Sequence, residues 1–312
     1  TASLPSDLPR RRVRNFALLS NRAGALFMTP AAVLVSVFVI APFFWVIFVS
    51  FTNRTLLGRT AVEPEFVGLG NYLALFDPAT FFQRGQFGFS LVLTTQFVLA
   101  SAIVGQALLG MLLAWLMQSV PPAVKRLTET FVIAAWVLPE VVIAFAWFAF
   151  LDYDDGTANM MLTSLGLPRG DFLLDNPFWV IVIFNTWRGA AFSMMLFSSA
   201  FSSIPPSYFQ AADVAGASSW QKFRDIGLPL IKGHVVNDLI LITMWTFNTF
   251  TPFLLTNGGP SYRTELVSIY NYRVAFQDFQ FGKGSAVAVV MMVINLSFAL
   301  VYLWIGRRRA PR

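Results

Sequence analysis

Six long apolar stretches, separated by shorter polar ones, set the pattern of this chain. They run over residues 25–51, 89–118, 128–151, 178–203, 235–256 and 286–306. Each is long enough to cross a hydrocarbon core of roughly 30 Å as a helix. A membrane barrel would show short alternating strands instead, so the pattern predicts an all-α polytopic protein with six transmembrane helices. Pro42, Pro139 and Pro252 fall inside three of the stretches and are expected to interrupt them. A membrane bundle tolerates this where neighbours satisfy the freed carbonyls.

The spans divide the chain into a basic arm (1–24), one membrane domain (25–306) and a short tail (307–312). Within the domain, the loop 52–88 carries Pro64, Gly68, Gly70 and Pro78 and reads as ordered. A second loop, 204–233, is rich in small residues and aromatics. Composition agrees with a membrane location. Of 312 residues 56% are hydrophobic and only 12% charged, with mean hydropathy +0.63. That excludes a disordered chain and argues against a soluble enzyme. The chain has no cysteine and one histidine, His234, so thiolate chemistry and poly-histidine metal sites are excluded and no metal is expected.

The net charge of +6 is distributed unevenly. Arg10, Arg11, Arg12, Arg14 and Arg22 precede the first span, and Lys125 and Arg126 follow the second. Lys222, Arg224 and Lys232 follow the fourth, and Arg307, Arg308, Arg309 and Arg312 end the chain. Fourteen of the 22 basic residues therefore fall on one side. The positive-inside rule places both termini and the loop 204–233 in the cytoplasm, and the charge anchors a membrane protein rather than binding nucleic acid.

The loop from Pro205 to Pro229 is the most informative segment. Ser207 is the expected N-cap of a short helix from Tyr208 to Ala215, and Gly216 can end it in a left-handed conformation. Ser218 or Ser219 can cap a second short helix carrying Trp220, Phe223 and Ile226, stopped by Leu228-Pro229. The product is a compact helix–turn–helix that exposes Ala211, Ala212, Ala215 and Ala217 to close approach by another backbone. Physics alone leaves open whether it docks a partner or packs under its own bundle.

The residues Gln210-Ala211-Ala212, then Gly216, then Ile226-Gly227-Leu228-Pro229 resemble the EAA loop of the membrane-spanning subunits of binding-protein-dependent ABC importers. Gln210 stands where the family has glutamate. Gly68-Leu69-Gly70-Asn71-Tyr72 and Thr256-Asn257-Gly258-Gly259-Pro260 are similar to segments of the maltose-type carbohydrate group of that family. The resemblance implies a permease of a bacterial inner membrane, working by alternating access. Gln210, Ala211, Ala212, Asp213, Gly216, Ala217 and Trp220 would form the coupling helix that sits on an ATPase. ATP and Mg would be bound by a separate ATPase dimer, since no Gly-x4-Gly-Lys-Ser/Thr loop occurs here and no cofactor is expected in this chain. A second permease subunit and an extracytoplasmic binding protein are the other implied partners, and the implied substrate is a sugar, expected to be a di- or oligosaccharide.

Polar side chains within spans are costly and mark candidate substrate contacts. In the fourth span these are Asn185, Trp187, Arg188, Gly189, Phe192 and Ser193, and in the fifth Trp245, Asn248, Thr249 and Thr251; all but Ser193 and Thr251 are read as the substrate set. By position relative to the family motifs, Gly189, Phe192 and Asn248 resemble the sugar-contacting positions. Interhelical hydrogen bonding is the competing role for the asparagines and threonine. Two full charges, Glu140 and Arg188, fall inside spans and are expected to pair. Alternatively Arg188 would bind an anionic substrate such as a glycerol phosphate or glycerophosphodiester. Asp238 and His234 read as cap or interface residues. Two rival classes remain: a membrane-embedded transferase using Asp152, Asp154 and Asp155, and a proton-coupled secondary transporter working through Glu140.

Overall fold

The computed structural model describes residues 21–308, with side chains described over 25–304. Most of the basic N-terminal arm and the last four residues of the tail lie outside the described residues, among them Arg10, Arg11, Arg12, Arg14, Arg309 and Arg312. Four helices are long and apolar enough to cross a membrane, and two bent helix pairs raise the number to six. The only strand pairing among the described residues is an isolated bridge between Thr52 and Phe66.

Two compact units meet in the sequence at Phe48 and Val49. The first is essentially helix α1 (Ala25–Val49). Pro42 does not interrupt it, contrary to expectation. A wide π turn over Ser36–Ile40 directly precedes Ala41-Pro42 and accommodates the missing N–H.

The second unit carries the rest. The loop after Val49 is ordered by its side chains. Asn71 Nδ2 donates to the carbonyls of Ser50 and Thr52, each at 2.8 Å, and the Tyr72 hydroxyl lies 2.7 Å from Ser50 Oγ. Helix α2 (Phe87–Leu116) follows, widened by a ten-residue π segment over Val98–Ala107. The expected third span is two helices, α3 (Pro122–Val137) and α4 (Glu140–Leu151), bent by 98° at Leu138-Pro139. Pro139 cannot donate to the preceding turn and it forces Leu138 into an extended conformation, so the helix restarts rather than kinks.

Helix α5 (Pro177–Ser202) is the central element, buried on the face toward α2. Glycines set that contact. A Cβ on Gly105 would meet Thr186 at 2.1 Å, and one on Gly110 would lie 2.5 Å from Ser193 Cβ and 2.8 Å from the Met194 amide nitrogen. Without side chains at these points, the two backbones approach closely enough for dispersion contacts to hold them.

Helix α6 (Pro206–Val214) and helix α7 (Ser219–Leu230) form the helix–turn–helix of the loop. Helix α6 begins at Pro206, two residues earlier than expected, and Ser207 does not cap it, because proline at the first helical position needs no N–H partner. Helix α7 runs through Pro229 instead of stopping there, again after a π turn (Phe223–Gly227), and bends by 73° into α8 (Lys232–Asn248). The fifth span breaks at Thr249–Thr251, before the short helix α9 (Pro252–Thr256). Helix α10 (Val267–Tyr272) and helix α11 (Phe281–Arg308) complete the chain. The core is three apolar clusters, around Phe87, Phe247 and Tyr270, around Phe97, Ile143 and Phe184, and around Met194, Phe197 and Phe201.

Candidate functional site

Both helix breaks open onto one cavity. It has a volume of about 620 Å³ and is lined from α2, α3, α4, α5 and α8. Glu140 enters it as the first residue of α4, directly after the Pro139 break. Thr249 and Phe250 enter it from the break after α8. Arg188 on α5 reaches Glu140, with Nη2 2.6 Å from Oε1, and Thr251 Oγ1 donates to the other carboxylate oxygen. One carboxylate thus joins three elements: the restart of the third span, the middle of the fourth and the break in the fifth. Arg188 Nε is buried with no hydrogen-bond partner.

The opposite wall is a buried polar network. Asn185 Nδ2 donates to Ser101 Oγ at 2.9 Å and lies 3.4 Å from Thr246 Oγ1. Gln106 Nε2 donates to the same threonine at 3.2 Å. Gly189 brings α5 against Gln106, since a Cβ there would lie 2.1 Å from the amide carbon and oxygen. The floor is aromatic: Phe192 stands between Trp136 (ring centroids 5.9 Å) and Trp245 (4.8 Å). A cavity with flat aromatic faces, amides and a compensated charge pair offers stacking and hydrogen bonding together.

Seven of the eight expected substrate residues line this cavity: Asn185, Arg188, Gly189, Phe192, Trp245, Asn248 and Thr249. Trp187 does not. It is half-exposed on another face of α5, its ring 5.8 Å from Trp147. Successive helical residues point about 100° apart, so a neighbour of Arg188 need not share its face. Gln106, Trp136 and Thr246 belong to the site but escaped the sequence reading, while Thr251, a polar candidate of the fifth span, joins it through Glu140. Gln106 could have been found as an amide in an apolar span, a signal it shares with Gln96 of the same span. Asp238 is fully buried and accepts from Ser193 Oγ at 3.1 Å, tying α8 to α5, whereas His234 is exposed.

A second candidate surface is the helix–turn–helix. Gly216, at φ +76°, closes α6: its N–H bonds the Asp213 carbonyl at 3.0 Å and the Ala217 N–H bonds that of Ala212 at 2.9 Å. Ser218 and Gln221 cap each other's backbone at the start of α7. Lys222 Nζ lies 2.7 Å from Asp213 Oδ1, bracing the two helices. Beneath them Trp115 of α2 packs against Phe201, Phe209 and Phe223, which come from α5, α6 and α7. Gln210, Ala211, Asp213, Gly216 and Trp220 remain exposed on the outside, while Ala212 and Ala217 are half-buried. Trp115 thus joins α6 and α7 to α2 and α5, two of the helices that line the cavity.

At the other end, Arg273 gathers the segment between α9 and α11. It donates to Glu265 at 2.6 Å, Asp278 at 2.9 Å and the Gly85 carbonyl at 2.6 Å. Burial works against its charge, but the hydrogen bond and charge of Glu265 outweigh it and hold the guanidinium above its ordinary pKa. No group of three or more metal-ligating side chains is present among the described residues.

The family model described as "binding-protein-dependent transport system inner membrane component" matches residues 106–311. The sulfoquinovosyl glycerol transport system permease protein SmoG of Agrobacterium fabrum is 30% identical over 92% of this chain and 91% of its own. The trehalose/maltose transport system permease protein MalF of Thermococcus litoralis is 29% identical over 92% and 95%. Among solved structures, a bacterial ABC transporter involved in the import of the acidic polysaccharide alginate matches with TM-score 0.77 at 23% identity, covering 92% of this chain and 96% of that one.

Proposed function

Because the chain belongs to the family of inner membrane components of binding-protein-dependent transport systems, we propose that it is the translocation subunit of an ATP-driven importer that carries a neutral di- or oligosaccharide into the cytoplasm. The observation that carries this reading is the cavity between the two helix breaks. Its Trp136–Phe192–Trp245 row suits the apolar faces of sugar rings, and Asn185, Gln106 and Asn248 suit their hydroxyls. Broken helices meeting at membrane depth are where transporters build substrate sites. Permease relatives named for trehalose/maltose and for sulfoquinovosyl glycerol support a sugar as the cargo.

Neutral cargo is favoured over a glycerol phosphate because Arg188 already holds a carboxylate at 2.6 Å. An anion at Arg188 would bring a second negative charge beside Glu140 at membrane depth. Gln210 to Trp220 would dock an ATPase dimer in trans, which binds ATP and Mg. A second permease subunit and an extracytoplasmic binding protein would complete the assembly. Alternating access then follows as a rigid-body movement passed from α6 and α7 through Trp115 to α2 and α5.

The test is purification from native membranes in mild detergent after crosslinking. An ATPase and a second multi-span protein in stoichiometric amounts are expected. Recovery of the chain alone, or as a homo-oligomer, would overturn the proposal and return attention to proton transport through Glu140.

A further inference from the structure

A second cavity adjoins the first at α8. Its volume is about 450 Å³, and it shares Met244 and Asn248 with the cavity described above. Its other polar residues are Asn271 on α10 and Asn295 on α11. Asn295 is the fifteenth residue of α11, about 21 Å along that helix at 1.5 Å per residue, hence well inside the membrane. Asn248 is exposed and Asn295 half-exposed there. Carboxamides at that depth do not face lipid; they face protein or water.

The hydrogen bonds of the two amides give the groove a definite chemistry. Asn248 Nδ2 donates to the Met244 carbonyl at 2.7 Å and to Asn295 Oδ1 at 3.0 Å. Asn295 Nδ2 donates to the Met291 carbonyl at 2.9 Å and to Asn248 Oδ1 at 3.2 Å. The two backbone carbonyls fix which end of each amide is nitrogen. All four amide hydrogens are then committed, and each side-chain oxygen keeps one lone pair free. Asn271 lines the groove, and its Oδ1, which has no hydrogen-bond partner, lies just beneath the surface, so a turn of the side chain brings it to a ligand. The groove therefore presents oxygen acceptors with the donors of the Asn248–Asn295 pair used up. Hydroxyl groups match that surface, and anions do not. Met244, Met291 and Met292 supply soft apolar contact for C–H faces.

We propose that Asn271 and Asn295 form a second wall of the substrate surface, accepting hydrogen bonds from hydroxyls of a saccharide longer than one ring. One part of the cargo lies on the aromatic row and Arg188 side, and the remainder crosses Met244 and Asn248 onto this groove. The inference rests on the sugar reading above and adds two contact residues and a minimum cargo length.

The natural absence of cysteine permits a direct test. Asn271→Cys, Asn295→Cys, Trp245→Cys and, on another face of α11, Leu300→Cys are each introduced into the full transporter complex in nanodiscs. Each is treated with a charged methanethiosulfonate, and labelling of this chain is read by mass spectrometry, with labelling after denaturation as the reference. Thiolate forms where water reaches it, so Asn271→Cys and Asn295→Cys should react roughly tenfold or more faster than Leu300→Cys. Maltotriose, maltose and trehalose are then added with the binding protein. The sugar that most stimulates ATP hydrolysis should slow labelling at Asn295→Cys and Trp245→Cys together. Labelling at Trp245→Cys with none at Asn271→Cys or Asn295→Cys would overturn this inference, put the groove against the second permease subunit, and leave the sugar reading intact. Protection at Trp245→Cys alone would also overturn it. No labelling at Trp245→Cys, or no stimulation by any of the three sugars, would defeat the sugar reading itself.

Discussion

Arg188 Nη2 lies 2.6 Å from Glu140 Oε1, so the fourth membrane helix is bonded to the point where the third restarts after Pro139. Thr251 adds the break in the fifth span to the same carboxylate. Three of the segments that line the cavity thus share one carboxylate, and a movement of any of them alters the geometry of the others.

Removing one partner of this pair should destabilise more than exchanging both. Arg188→Leu leaves Glu140 unpaired in the cavity. Because the Glu140 side chain is half-exposed, the cost should fall below the roughly 3–5 kcal/mol of a fully buried pair, at about 1–3 kcal/mol. The swap Glu140→Arg with Arg188→Glu should recover part of the loss. Thermal unfolding of the purified complex, read as a double-mutant cycle, measures the coupling. A swap no better than the worse single variant would refute direct pairing.

Gly110→Ala should be more damaging than Gly189→Ala. The added methyl at position 110 meets the Met194 backbone at 2.8 Å, which cannot turn aside. At position 189 it meets the end of Gln106, which can rotate at the cost of its bond to Thr246. Overpacking of about 1–3 kcal/mol is expected at Gly110, and about 1 kcal/mol at Gly189. Gly189→Ala should in exchange impair uptake, because Gln106 is pushed into the cavity. Equal melting temperatures for the two variants would count against this packing account.

Trp220→Ala should weaken retention of the ATPase without changing the stability of the membrane subunit. Trp220 is 64% exposed on α7, so its loss opens no core cavity. Trp115→Ala is the contrasting variant, since it removes the ring that joins α5, α6 and α7. Loss of about 3–5 kcal/mol is expected, together with loss of coupling between ATP hydrolysis and uptake. Co-purification and melting curves for both variants separate the surface role from the packing role.

Arg273→Met should unfold the loop segment around α10. Glu265 is 2% exposed, and removal of the guanidinium strands its charge, for which a loss of about 3–5 kcal/mol is expected. Arg273→Lys should rescue little, because one ammonium cannot reach Glu265, Asp278 and the Gly85 carbonyl in the same geometry. Hydrogen exchange over residues 257–280 reads the effect directly.

Much of this was legible in the sequence, and the residues show why. Glu140 and Arg188 stand out because a charge in an apolar run demands a partner, and few partners exist. Gly216 and Ser218 announce the turn between α6 and α7 through backbone chemistry alone. The aromatic row was harder to read. Trp187 and Arg188 are adjacent in sequence but on different faces, and helix rotation is set by packing against α2 rather than by local pattern. Pro139 marks a break, yet nothing local fixes its 98° angle. Thr251 reads only as one more polar candidate, and Gln106 not at all, because a threonine or amide in a span ordinarily bonds its own backbone. Only the fold brings them to Glu140 and Thr246. Pro42 and Pro229 misled in the opposite sense, since π turns absorbed both.

The central claim is best tested by uptake into proteoliposomes that hold the complete complex, with binding protein and radiolabelled maltose, trehalose or maltotriose outside and ATP inside. Accumulation that requires ATP, ignores an imposed proton gradient and falls sharply with Trp245→Ala is the expected result. Accumulation that proceeds without nucleotide, follows the proton gradient and is abolished by Glu140→Gln would contradict the account and identify a proton-coupled carrier.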